Sequence, residues 1–306
     1  MQVEPRTTDD TAIVIITYDS EDCLQKLLLG LDCGGDRRLR VYWIDNGSSA
    51  PSLAAYEKLL NAMSVSYEVK KMWRAENLGY ASAVNFALQH VTEAYTLLVN
   101  PDVEVSGGWI RYIRAALEKT GAQLGSSLAL RPDGCRDQNV ARFPGLTKNL
   151  LGSTFAPKSI DAIAEYYLDF SCIMFKTDFL RHHLPLRQFF LYGEDVDFMK
   201  RVRCHKPAIV YDTSITYIHN RSTSSALEGA SLRKAQRIIY ADALLGCENA
   251  NFMYRLAFIF TALIGSFLRV IVFPFNRKKR LFLNEWLLQT RKICSGNIFR
   301  ENMHVD

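Results

Sequence analysis

The sequence predicts an α/β fold, a mostly parallel sheet sandwiched by helices and followed by a C-terminal helical segment. Three observations carry this. Apolar runs of strand length alternate with stretches whose apolar residues recur every three to four positions, the rhythm of strand and helix in turn. The runs do not alternate apolar with polar residues, so both faces are covered, as in a parallel sheet between helices. The loops after successive runs are polar, and the carboxyl ends of strands in such sheets are where ligands gather.

The elements follow in order. AIVIITY (12–18) is a strand and EDCLQKLLLGL (21–31) a helix; VYWID (41–45) and PSLAAYEKLLNAM (51–63) repeat the pair. SYEVKKM (66–72) precedes the helix ASAVNFALQHV (81–91), and YTLLVN (95–100) is the fourth strand. Residues 131–165 are Pro/Gly-rich and read as irregular, bordering an acceptor site. Beyond them YYLDFSCIMFK (166–176) reads as one strand, GEDVDFMKRVR (193–203) as a short helix and SITYI (214–218) as a strand.

A chain of 306 residues, 48% hydrophobic, can bury a full core, which excludes disorder. Seven cysteines at 23, 33, 135, 172, 204, 247 and 294 form no CxxC pair and no Cys/His metal spacing, so free thiols in a reducing cytoplasm are expected. The opening MQVEPRTTDD lacks an apolar stretch, so no signal peptide is expected. The net charge of +5 is uneven: nine Lys/Arg face three Asp/Glu from Phe252 onward, against 28 and 29 before it.

Several loops concentrate reactive groups. In VYWIDNGSSAP a capped turn explains Gly47, the serines and Pro51, but not Asp45, a carboxylate placed to accept hydrogen bonds from a nucleobase N–H or a ribose hydroxyl. In RAENLGYASAVNFAL, Asn77 is expected to cap a helix, Gly79 to admit close backbone approach, and Asn85 to lie further along that helix, whose free N–H groups attract phosphate. Plain capping is the alternative. No G-x-G-x-x-G follows the first strand, which disfavours a dinucleotide dehydrogenase, and no redox cofactor is expected.

In YTLLVNPDVEV, Pro101 pushes Asn100 toward extended backbone, and in an extended segment Asn100 and Asp102 project to the same side. A lone carboxylate there suits Mg2+ or Mn2+, which takes one or two protein carboxylates beside a diphosphate; an ordinary Asn-Pro-Asp turn is the alternative. In FFLYGEDVDFMKRVR the acids precede the bases as a helix dipole favours, and Asp195 is also a candidate general base, since partial desolvation raises a carboxyl toward working pH. His219 ends a strand and can complete a metal site with Asp102, while Arg221 and Ser222 to Ser225 either touch phosphate or form a loop.

In this order the pieces resemble the family 2 glycosyltransferases of the GT-A fold, and more closely the rhamnosyltransferase-like branch of bacterial surface polysaccharide synthesis, over roughly Ala12 to Ser225. The resemblance implies a GT-A, Rossmann-like domain at 1–225 and a helical, basic and apolar segment at 226–306. It implies nucleotide-sugar contacts from Thr17, Tyr18, Asp45, Asn77, Gly79, Asn85, Asn100 and Glu194, a divalent Mg2+ or Mn2+ on Asp102 and His219, and Asp195 as catalytic base. The reaction implied is an inverting hexosyl transfer, rhamnose from dTDP-rhamnose favoured, to a hydroxyl of a lipid-linked oligosaccharide in O-antigen, lipopolysaccharide or other surface polysaccharide synthesis. Departures are Asn100 where many relatives carry Asp, Asp19 for a frequent Asn and Ala50 for a frequent Asp. The competing readings are a UDP-sugar transferase (galactofuranosyl or glucosyl), a non-catalytic nucleotide-sugar-binding protein and a sugar nucleotidyltransferase. The Gly-rich basic first loop of the last is absent from TYDSEDC.

YRLAFIFTALIGSFLRVIVFPF (254–275) precedes the basic run NRKKR. Its charge-free part, Leu256 to Leu268, is 13 residues, shorter than the ~20 that span a bilayer. An interfacial helix is expected, with Arg255 and Arg269 reaching outward and Arg277, Lys278, Lys279 and Arg280 on anionic headgroups. That places the protein at the cytoplasmic face of the inner membrane, with 252–280 on its surface. The alternative is a helix packed on the domain or between copies in a homo-oligomer. Interleaved Phe, Leu and Ile suit lipid rather than nucleic acid, so no nucleic-acid partner is expected.

Overall fold

The computed structural model describes residues 10–32, 39–151, 166–187, 189–221, 228–248, 250–272 and 283–287. The expected basic contacts at 277–280 and Ser222 to Ser225 lie outside them. The elements run β1 (Thr11–Thr17), α1 (Glu21–Asp32), β2 (Leu39–Asn46), α2 (Ala50–Ala62), β3 (Glu68–Arg74), α3 (Tyr80–Ala87), β4 (Tyr95–Val99) and β5 (Val103–Glu104). They continue with α4 (Gly107–Thr120), β6 (Leu124–Leu130), β7 (Val140–Arg142), α5 (Leu146–Leu151), β8 (Tyr166–Leu168), β9 (Cys172–Lys176) and α6 (Thr177–His182). α7 (Glu194–Val202), β10 (Ile209–His219), α8 (Glu228–Cys247) and α9 (Phe252–Val272) complete the order.

Eight strands form one sheet in the order β3-β2-β1-β4-β9-β6-β10-β5. β1 pairs in parallel with β2 and β4, β2 with β3, and β6 with β10. β9 runs antiparallel to both β4 and β6, and β5 antiparallel to β10. The mostly parallel sheet expected from unbroken apolar runs is therefore present, with two reversed strands.

β1 shows why those runs matter. Every residue of TAIVIIT is buried: Ala12, Val14 and Ile16 face one apolar layer, Ile13 and Ile15 the other. The first layer holds Ala83 and Val84 of α3, Phe198 of α7, Leu244 of α8 and Phe258 of α9; the second holds Leu24 and Leu28 of α1 and Ile110 and Ile113 of α4. Period-two strands between amphipathic helices give three layers, and α8 and α9 share a core with α3 and α7.

Two expectations are corrected. The run at 166–176 is not one strand: β8 pairs with β7 in a separate two-stranded sheet, and the chain breaks at Asp169 before β9 enters the main sheet. A charged residue inside an apolar run marks the break. Residues 131–165 are not irregular throughout, since they contain β7 and α5.

Candidate active site

The strand directions bring one set of side chains to one edge. The carboxyl ends of β1, β2, β4 and β10 lie together there, and because β9 is reversed its beginning joins them, with Cys172 opposite Val99. β1 sits where the order turns, with β2 on one side and β4 on the other, the place where ligand crevices open in such sheets.

At the end of β2, Asp45 is 0% exposed. Its carboxylate accepts from Thr17 Oγ1 at 3.0 Å, Ser48 N at 2.9 Å, Ser48 Oγ at 2.5 Å and Gly47 N at 3.2 Å. Trp43 Nε1 donates to Thr17 Oγ1 at 3.0 Å, so the cluster is closed from beneath. Asp45, expected to accept hydrogen bonds from a nucleobase or ribose, here accepts them from its own loop and from Thr17. Tyr18, 51% exposed, is the group that this edge offers outward.

Asn77 does not cap α3 by its side chain. The helix begins at Tyr80 with Gly79 at its cap, φ +84°, and Asn77 Oδ1 accepts from Gly79 N at 3.0 Å and Asn46 Nδ2 at 2.8 Å. A Cβ at Gly79 would collide with the Phe190 carbonyl, which accepts from Tyr80 N at 3.0 Å. The first amide of the helix is thus occupied. Asn85, expected against ribose and diphosphate, instead clamps Leu186, donating to its carbonyl at 2.9 Å and accepting from its N–H at 2.8 Å.

Asn100 to Val103 form a turn, Val103 N donating to Asn100 O at 3.2 Å, so the extended geometry expected for Asn100 and Asp102 is replaced by a tighter bend. Asn100 N is tied to Ser171 O at 2.9 Å. Asp102, 9% exposed, has Oδ1 3.5 Å from His219 Nε2, and its carbonyl accepts from Asn220 N at 2.8 Å. His219 Nδ1 lies 3.0 Å from Asp137 Oδ2, and Arg221 Nε donates to Asp137 Oδ1 at 2.7 Å. Burial opposes a charged His219, but the hydrogen bonds to Asp102 and Asp137 outweigh it and push the imidazole up to about 9. Burial would raise Asp137, yet His219 and Arg221 hold it far below the usual carboxylate range. Arg221 is therefore engaged with Asp137, φ +44° turning it there.

Glu194 and Asp195 open α7 after two left-handed residues, Tyr192 at φ +70° and Gly193 at φ +110°. An aromatic residue with positive φ is a costly backbone, held by its surroundings at functional sites. Glu194 is 6% exposed and its Oε2 has no hydrogen-bond partner. Burial, then the charge of Asp195, drives its carboxyl well above the usual range. Asp195 keeps partial solvent contact; burial, then the charge of Asp169, raises it as well, against lowering by Val196 N–H and by the Lys148 charge. Asp169, which follows β8, raises both Asp195 and His219 through its charge.

The candidate site thus comprises a buried carboxylate and imidazole pair, Asp102 and His219, the raised carboxyl of Asp195 at the start of α7, and the loop that Asp45 holds. The family model described as Glycosyl transferase family 2 matches residues 12–184, more than half of the chain. The chain belongs to that family. This glycosyltransferase is 25% identical to the N-acetylglucosaminyl-diphospho-decaprenol L-rhamnosyltransferase of Mycobacterium tuberculosis, covering 73% of this chain and 80% of that relative. In fold it is similar to the mannosyltransferase PcManGT from Pyrobaculum calidifontis, solved with GDP-Man and Mn2+, at TM-score 0.63 and 12% identity over 98% of this chain and 89% of that one. It is also similar to S. aureus TarS 1-349 in complex with UDP, at TM-score 0.52 and 13% identity over 97% and 94%.

Sequence reading missed three residues that the structure brings into this candidate site. Asp137 came from a segment without periodicity and gave no signal. Asp169 did give one, an acid interrupting an apolar run. Asn46, the next residue after Asp45, holds Asn77 and the Gly79 carbonyl through its amide and accepts from Arg74 at 3.3 Å.

Proposed function

We propose that this glycosyltransferase inverts configuration while moving a sugar, rhamnose favoured, from a nucleoside diphosphate sugar, dTDP-rhamnose favoured, to a hydroxyl of a lipid-linked saccharide in surface polysaccharide synthesis. One observation carries the reading: Asp195, its carboxyl raised by burial and by Asp169, opens α7, and α7 packs on β8, the strand that leads through Ser171 to Asn100, two residues before Asp102. The 25% identical relative, a rhamnosyltransferase named for a diphospho-decaprenol acceptor, supports the choice of sugar and acceptor.

Asp195 takes the proton of the acceptor hydroxyl as that oxygen bonds to the anomeric carbon, and the bond to the diphosphate oxygen breaks with its electron pair. Exposed Tyr18 and the loop organised by Asp45, Thr17 and Asn77 lie against the nucleotide, with Gly79 letting that loop approach the helix start. Asn85 holds the wall at Leu186 behind it, and Asn100 and Glu194 border the sugar.

Asp102 and His219 fit a divalent cation. They offer one carboxylate oxygen and one imidazole nitrogen, a small donor set that suits Mg2+ or Mn2+ shared with a diphosphate. When bound, such an ion supplies positive charge against the leaving diphosphate. His219 must give up the proton it holds between Asp102 and Asp137 to take part, so cation binding strengthens as pH rises through about 9. Among the described residues no group of three or more His, Cys, Asp or Glu could hold a metal alone.

α9 supports a place at a membrane surface, on the cytoplasmic side of our reading. No helix among the described residues is long and apolar enough to cross a membrane. Yet Phe252, Met253, Leu256, Phe260, Phe267 and Ile271 are exposed on α9, while Phe258, Ile259 and Ala262 are buried against α5 and α8. Replacing Phe260 and Phe267 by Ser is expected to lower co-sedimentation with anionic phospholipid vesicles about tenfold or more, since each loses a buried aromatic face in lipid. Unchanged sedimentation would remove the helix from this role.

The donor is tested by incubation of the purified protein with Mg2+ or Mn2+, a polyprenyl diphosphate saccharide and each of dTDP-L-rhamnose, UDP-glucose, UDP-galactofuranose and GDP-mannose, products read by mass spectrometry. Rhamnosyl transfer with inversion is expected. Transfer from another donor alone would replace rhamnose, and retained configuration would remove the single displacement.

A further inference from the structure

We infer that Asp169 is a sugar-binding residue, accepting a hydrogen bond from a ring hydroxyl of the transferred sugar; this rests on the nucleotide-sugar reading above. The reversal of β9 brings the residues just before it to the edge where Asp102 and His219 sit, and Ser171 is bonded there to the backbone of Asn100. Asp169 lies between β8 and β9, partly exposed, two residues from that tie.

Its carboxylate is held in advance. Oδ1 accepts from Ser171 N at 3.1 Å and Ser171 Oγ at 2.6 Å, while its own N–H donates to Asn139 O at 3.0 Å. The support runs deeper: Ser171 Oγ meets Tyr217 Oη at 3.0 Å, and Asn139 Nδ2 donates to Tyr217 Oη at 3.1 Å and to Ser127 O at 2.7 Å. A carboxylate oriented through one oxygen by a buried, satisfied network is the arrangement expected of a binding group rather than a surface charge.

Both hydrogen bonds fall on Oδ1 and the residue is partly exposed, which leaves Oδ2 for a ligand. Asp169 follows β8, which packs on α7 and so on the helix that Asp195 opens, and its partner Ser171 is tied to Asn100 of the β4 turn and to Tyr217, two residues before His219. The proton acceptor and the cation pair bracket the two ends of the bond change, so a carboxylate between them lies beside the ring that is transferred. An acceptor oriented in advance and covered by the bound sugar discriminates for a hydroxyl, because a ligand lacking one leaves the charge unmatched.

Asp169→Asn keeps an oxygen for Ser171 and alters only the outward atom, so it tests the contact without dismantling the loop. Affinities for dTDP, dTDP-L-rhamnose, UDP and UDP-glucose are measured by calorimetry on the full chain with Mn2+. For the variant, nucleoside diphosphate binding is expected within about twofold of the unaltered protein. The extra affinity conferred by the sugar is expected to fall roughly tenfold or more, with donor KM rising accordingly. Asp169→Ala should show the same split. Equal weakening of diphosphate and sugar nucleotide, or an undiminished sugar contribution in both variants, would overturn the inference. If the unaltered protein binds neither nucleotides nor their sugars, the donor reading itself falls and this role with it.

Discussion

Asp195→Asn is expected to lower kcat by roughly 10^2 to 10^4, the range a positioned general base contributes, while donor binding stays within about twofold. The amide keeps the volume and the acceptor oxygen for the Val196 N–H, 2.7 Å away, but cannot take a proton. Two further readouts separate a base from a merely structural acid. Asp195 works ionised and its folded carboxyl is raised by burial and by Asp169, so kcat/KM should climb with pH through that raised value and flatten above it. Because the folded pKa lies above the unfolded one, the ionised group costs the fold stability. That penalty begins above the ordinary, unfolded value of 3.8 and levels off above the folded value. The Asn variant escapes it and should melt no lower than the unaltered protein at neutral pH. Retained turnover in single-turnover assays would take Asp195 out of its role.

Asp102→Ala should weaken donor binding tenfold or more in the presence of Mn2+ and leave metal-free nucleotide binding within about twofold, since the loss is of a cation ligand beside the diphosphate. The same substitution changes a proton balance in the metal-free protein. His219 is raised to about 9, so its contribution to stability is complete below the unfolded value of 6.5 and disappears as pH rises through about 9. Removing Asp102 deletes one of the two carboxylates that hold the proton, so the alkaline decline of melting temperature should move toward neutrality. Calorimetric scans between pH 6 and pH 10, roughly spanning that window, read it directly. Cation dependence identical in variant and unaltered protein would exclude Asp102 as a ligand.

The nucleotide half of the fold was legible because its strands are covered on both faces and its helices are amphipathic. β1 to β4 and α1 to α3 fall within a few residues of the periodic stretches that announce them. The later half was harder for physical reasons. β8 and β9 share one apolar run and differ only in the sheet they join, which composition cannot express. Residue types at the site were readable at strand ends, where Asp45, Asp102 and His219 stand, but their partners were not. Asp45 is engaged by Thr17 and Asn85 by Leu186, through contacts between residues 28 and 101 positions apart. Asp137 reaches His219 across 82 positions from a loop that no periodicity describes.

The bonds from Tyr80 to Phe190 and from Asn85 to Leu186 button two regions of the chain together. One leads into the nucleotide loop and the other into the turn that presents Asp195. Any substitution that retunes α3 for a different donor therefore tugs on the segment leading into α7 as well. New donor preferences in this scaffold should be easier to reach from the Tyr18 side, where no such fastening to α7 is present among the described residues.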